Sequence, residues 1–135
     1  MTTPAGRPQV GTVVTHRRYV SHAEAHYAGN LVDGAWGLGL FGDVATEMCI
    51  RTDGDEGLFA SYSDVQFLAP VRAGDVVEAT ATLVRAGTRS REMTFALHVV
   101  ARGVERAGAP GAATVLDQPV VATTATGTVV VPPSG

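Results

Sequence analysis

The sequence predicts an α+β domain in which one curved, five-stranded antiparallel sheet wraps a single long central helix. Three observations carry this. The stretch Asn30 to Ile50, NLVDGAWGLGLFGDVATEMCI, is an apolar run whose apolar positions go round the whole helical wheel, so the helix is expected to be buried on every side. After it the period changes. Val77, Ala79, Ala81 and Leu83 alternate with Glu78, Thr80 and Thr82, and Met93, Phe95, Leu97 and Val99 alternate with Thr94 and His98, as in strands with one covered face. Finally, 135 residues with 45% hydrophobic content suit a single globular core.

In chain order, residues 1–9 are rich in Thr, Pro and Gly and read as a disordered extension, which leaves 10–132 as one domain. Val10 to Tyr19 form a first strand ending in Arg17 and Arg18. Ser21 with Glu24 three positions on has the form of a capping box and predicts a short helical turn. HYAGN, His26 to Asn30, is a connector in which Tyr27 reads as a packing aromatic and Asn30 as the helix N-cap. Gly34, Gly37, Gly39 and Gly42 lower helix propensity, so the regular helix is expected to begin between Gly34 and Gly39. RTDGDEG, Arg51 to Gly57, is a turn, and Leu58 to Phe67 is a second strand closed by Pro70. Strands over 76–85 and 92–102 are joined by the hairpin loop GTRSR, Gly87 to Arg91. Gly103 to Pro119 reads as a long Gly/Ala/Pro loop, and Val120 to Val131 as the last strand.

An open five-stranded sheet covered by one helix leaves edges and apolar surface unpaired, which predicts a homodimer that continues the sheet, with higher assembly left open. This is the layout of the hotdog fold.

Composition excludes several classes. The net charge is −3, so no nucleic-acid surface is expected. Acids and glycines inside the apolar run, with charged residues after it, exclude a membrane span. The N-terminus lacks the apolar run of a signal peptide, and the expected location is the cytoplasm. The single Cys49 excludes an internal disulfide and reads as an inert buried thiol, and no His/Cys spacing suggests a metal site.

The candidate chemistry lies in the apolar run. Asp43 and Glu47 are four apart and so stack on one helix face. Burying carboxylates costs several kcal/mol unless they are paired or protonated, and close like charges push one pKa up. Such a pair can act as base and acid; a carboxylate pinned by an arginine is the plain structural alternative. His26, in the entry to the helix, is a third catalytic candidate. Gly34, Asn30 and Tyr27 are candidates for holding substrate, Gly34 through its backbone N–H at the helix start. Arg51, Arg72, Arg89 and Arg91 are candidates for phosphate contacts.

HYAGNLVDGA (His26 to Ala35), LFGDVATEM (Leu40 to Met48), RTDGDEGLF (Arg51 to Phe59) and VQFLAPVRAGD (Val65 to Asp75) resemble, in that order, the motifs of the hotdog-fold 3-aminobutyryl-CoA and β-alanyl-CoA ammonia lyases. The likeness runs from about His22 to Arg102 and resumes at the final strand. The resemblance implies reversible elimination of ammonia from a short-chain β-aminoacyl-CoA, with no metal and no cofactor beyond the coenzyme A of the substrate. The rival readings are an acyl-CoA or acyl-carrier-protein thioesterase, in which the helix carboxylate activates water, an enzyme adding another amine to an enoyl thioester, and a non-catalytic acyl-CoA sensor.

Overall fold

The computed structural model describes residues 8–133. Eight strands and one α-helix follow in the order β1 (Val13–Tyr19), β2 (Ala25–Tyr27), β3 (Leu31–Val32), α1 (Gly34–Asp53), β4 (Leu58–Phe67), β5 (Val71–Arg72), β6 (Val76–Ala86), β7 (Ser90–Gly103) and β8 (Ala113–Val130). A five-stranded antiparallel sheet in the order β1-β6-β7-β8-β4 wraps α1, and a small sheet β2-β3-β5 stands beside the start of the helix. The hotdog architecture is therefore the observed one. Of the expected N-terminal extension, residues 1–7 lie outside the described residues; Gln9 takes part in a turn, its carbonyl accepting from the Thr12 hydroxyl at 2.6 Å.

The alternation in β6 and β7 does what its period dictates. Val77, Ala79, Ala81 and Leu83, then Met93, Phe95, Leu97 and Val99, face α1 and are buried. From the helix, Leu40, Phe41, Val44, Ala45, Met48 and Cys49 answer them, and Phe41 stacks on Phe95 with centroids 5.0 Å apart. Gly127 on β8 makes room for these rings, since a Cβ there would lie 2.4 Å from Cζ of Phe59 and 2.9 Å from Cε2 of Phe95. The helix ends at Gly54, whose left-handed backbone (φ 68°) lets its N–H donate to the Ile50 carbonyl. Asp53 in the last turn receives Nε and a terminal nitrogen of the buried Arg91, which also donates to the carbonyls of Gly87 and Ser90. This ties the end of α1 to the β6–β7 hairpin.

Four expectations are corrected. The helix is not buried all round: Ala35, Gly39, Asp43, Thr46 and Ile50 form an exposed stripe on the protomer. Its N-cap is Asp33; Asn30, the expected cap, lies three residues earlier in a left-handed conformation, where its carbonyl accepts from the Ala73 N–H at 2.9 Å. The β2-β3-β5 sheet was not anticipated, because strands of two or three residues show no period. Ala113 to Pro119 belong to β8 and not to a loop. Composition hides this, for the β7–β8 ladder runs on through Ala101↔Val115 and Gly103↔Ala113 after a register break, and Pro119 sits in the break, where no ladder N–H is needed.

Candidate active site

A cavity of about 570 Å³ opens at the start of α1. One wall is the first helical turn, Asp33 to Gly37; the facing wall is the end of β4 and the run into β5, Phe67 to Val71; Leu97 and Thr123 close the side toward the sheet. Gly34 is demanded by this packing, because a Cβ there would lie 2.3 Å from Cε1 of Phe67. Behind the second wall stands a buried ion pair. Asp75, with no exposed surface, takes Nε of Arg102 at 2.9 Å and a terminal guanidinium nitrogen at 2.8 Å. The same carboxylate caps the Arg72 N–H at 2.8 Å, and Arg102 also donates to the Pro70 carbonyl at 3.0 Å. The Asp75 carboxylate, by its hydrogen bonds and then its charge, holds the Arg102 pKa above its ordinary value against the cost of burial. The pair thus fixes the Pro70–Asp75 turn and with it the cavity wall.

At the helix start Asp33 has extended backbone (φ −72°, ψ 158°), and its side chain makes no capping hydrogen bond. The first-turn N–H groups are therefore not capped by that carboxylate, and the residues that carry them, Gly34 to Gly37, line the cavity at the positive end of the helix dipole. This is a ready place for an oxygen that gains negative charge.

The two helix carboxylates do not form a pair. Asp43 is exposed on the protomer, and its charge is felt by Tyr62 on β4. The Tyr62 hydroxyl donates to the Leu38 carbonyl; burial, and then Asp43, push its pKa up to about 12, so it remains a donor. Glu47 turns the other way. One of its oxygens meets Nε2 of His16 on β1 at 2.9 Å and the other receives Nε of Arg51 at 2.8 Å. Glu47 is thus bonded toward β1, one edge of the sheet, while the charge of Asp43 acts on Tyr62 of β4, the other edge. The hydrogen bond from Arg51, followed by that from His16, holds the Glu47 carboxyl below its ordinary 4.5, so the expected protonated partner for Asp43 is not found there.

A carboxylate with a lowered folded pKa contributes stability that is present above its unfolded pKa and lost as pH falls through the folded value. Glu47→Gln is accordingly expected to flatten the acid side of a melting-temperature profile below pH 4.5. Superimposable acid limbs for variant and wild type would show that the His16 and Arg51 contacts contribute nothing.

The remaining candidates separate. Tyr27 lines the rim of the cavity and meets His26 edge to face, with centroids 5.0 Å apart; His26 and Asn30 are exposed and do not line the cavity. Arg91 is consumed by Asp53, and Arg51 by Glu47, while Arg72 stays exposed beside the cavity wall. Cys49 is fully buried and its thiol is pushed up to about 11, chiefly by burial, as an inert thiol should be. Asp33 was missed, although an Asp directly before the first helical glycine is a recognisable N-cap signal. Among the described residues no group of three His, Cys, Asp or Glu could hold a metal ion, and no helix is long and apolar enough to cross a membrane.

The thioesterase superfamily matches residues 30–105, from the entry of α1 to the end of β7. Over 114 residues the chain is 49% identical to 3-aminobutyryl-CoA ammonia lyase of Acetoanaerobium sticklandii, covering 84% of this chain and 89% of that relative. The chain belongs to the hotdog-fold ammonia lyases. Among solved structures this chain resembles β-alanyl-CoA:ammonia lyase from Clostridium propionicum, with a TM-score of 0.85 and 38% identity over 91% of this chain and 87% of that one. A hexameric thioesterase from Yersinia pestis shares the fold, at a TM-score of 0.72 and 20% identity over 93% and 94% of the two chains. The superfamily match covers Asp33, Gly34, Asp43 and Glu47 of the lyase and stops short of Thr123.

Proposed function

We propose that this protein catalyses the reversible elimination of ammonia from a short-chain β-aminoacyl-CoA, 3-aminobutyryl-CoA to crotonyl-CoA or β-alanyl-CoA to acryloyl-CoA. The observation that carries the mechanism is the uncapped start of α1 opening on a largely apolar cavity. The thioester carbonyl accepts from the backbone N–H at Gly34, where the helix dipole favours the enolate that forms as the α-proton leaves. Asp43 takes that proton, the C–H electron pair becomes the Cα–Cβ double bond, and the Cβ–N pair departs on nitrogen as ammonia. No metal and no cofactor besides the substrate's coenzyme A enters these steps.

Asp43 follows Gly34 by nine residues, which at 1.5 Å per residue is ~14 Å along the axis. A base must come within about 3 Å of its proton, so the Asp43 of one copy serves the cavity of a second. The free edge of β4 supports a homodimer of this kind. Leu58, Phe67 and Leu68 are more than half exposed there, while the other edge strand, β1, exposes Val13 and Tyr19 but also carries Arg17 and Arg18. Further assembly of dimers is compatible with this, and the cytoplasm is where coenzyme A thioesters would meet the enzyme.

Incubation with crotonyl-CoA and ammonium, followed by mass spectrometry, is expected to give 3-aminobutyryl-CoA. Free coenzyme A as the sole product would make the protein a thioesterase, and 3-hydroxybutyryl-CoA alone would make it a hydratase.

A further inference from the structure

Among the described residues, Asp33 is the only charged one lining the cavity. It is partly buried, its carboxylate makes no capping hydrogen bond, and among the described residues no salt bridge reaches it. Its neighbours around the cavity include Val32, Trp36, Phe67 and Leu97, which offer nothing to a cation beyond aromatic faces. With no salt-bridge partner among the described residues, this partly buried carboxylate can receive a cation brought by a ligand. The acyl group of the proposed substrate brings that charge, because its β-amine is an ammonium at neutral pH.

We infer that Asp33 is the specificity residue for the β-amino group, pairing with the substrate ammonium while Gly34 holds the thioester oxygen. This rests on the reaction proposed above and adds how the enzyme tells an aminoacyl thioester from a plain acyl one. Asp33 immediately precedes Gly34, and the β-nitrogen is carried two carbons from the carbonyl carbon, so one end of the pocket meets both groups. In the addition direction ammonia gives its electron pair to Cβ, the enolate forms, and the nitrogen acquires the positive charge that Asp33 faces. The Cα proton is returned by Asp43. Asp33 thus favours amine over water as the group added.

The Asp33 side chain makes no capping hydrogen bond, so Asp33→Asn removes the charge at nearly constant size and takes no cap from the helix. Losing a charge-assisted hydrogen bond is expected to weaken binding of 3-aminobutyryl-CoA by ~10- to 100-fold and to leave crotonyl-CoA binding within about twofold. The KM for ammonia should rise while that for crotonyl-CoA holds. Asp33→Ser, a second polar side chain without charge, should behave alike, and Asp33→Glu should recover part of the amine affinity. Equal weakening toward both thioesters in either uncharged variant would make Asp33 a structural residue and overturn the inference, as would an unchanged KM for ammonia. Absence of any amine adduct with the wild-type enzyme would overturn the lyase reaction itself and this inference with it; normal adduct formation by Asp33→Asn would overturn the inference alone.

Discussion

Asp43→Asn is expected to lower ammonia addition and elimination by a factor of at least ~100, in the usual range for losing a general base, while the protein stays folded. The side chain is exposed on the protomer and no salt bridge among the described residues holds it, so its charge supports little of the fold. Steady-state rates and a thermal melt decide the matter together. Wild-type turnover by a folded Asp43→Asn enzyme would remove Asp43 from the mechanism. The site shared between copies has its own test. Gly34→Val would drive a side chain into Phe67 and close the cavity, so that variant should also be inactive. Refolded together, the two inactive variants should regain activity, since a hybrid holds one site with an intact cavity and an intact Asp43. Failure to regain any would overturn the sharing between copies and place Asp43 with the cavity of its own copy.

The second large effect is on stability. Arg102→Ala leaves the Asp75 carboxylate buried without its partner, and breaking a buried pair in this way costs about 3–5 kcal/mol. The denaturation midpoint should fall accordingly, and the KM for the thioester should rise because the Pro70–Asp75 wall of the cavity loses its anchor. Removing both partners should cost less than the sum of the single changes. A midpoint within error of wild type would show that Asp75 finds water or another donor.

What was legible in the sequence was periodic. The apolar run of α1 and the alternation of β6 and β7 each extend over enough residues to show a period, and β4 was bounded correctly between the turn before it and Pro70 after it. The paired strands of the small sheet are too short for that, and the first half of β8 is disguised by glycine, alanine and proline. The site was legible only in part for a geometric reason. Spacing of four put Asp43 and Glu47 on one helix face, but it could not say which sheet edge each would reach, and His16, far away in sequence, captures Glu47. Likewise, attention to the acids inside the apolar run passed over Asp33 at its margin.

The helix stands early in the chain and most of the sheet that covers it stands late. While the protein is being synthesised, Phe41, Val44 and Met48 emerge with only β1 of the five-stranded sheet made, and β8 is complete after Val130. At 5–20 residues per second the ribosome needs on the order of 4 to 15 s to pass from the end of α1 to the end of β8. For that interval the most apolar segment of the protein has no partner of its own. Nascent chains of this enzyme are therefore expected to engage a holding chaperone, and to release it only once the β7–β8 hairpin closes over the helix.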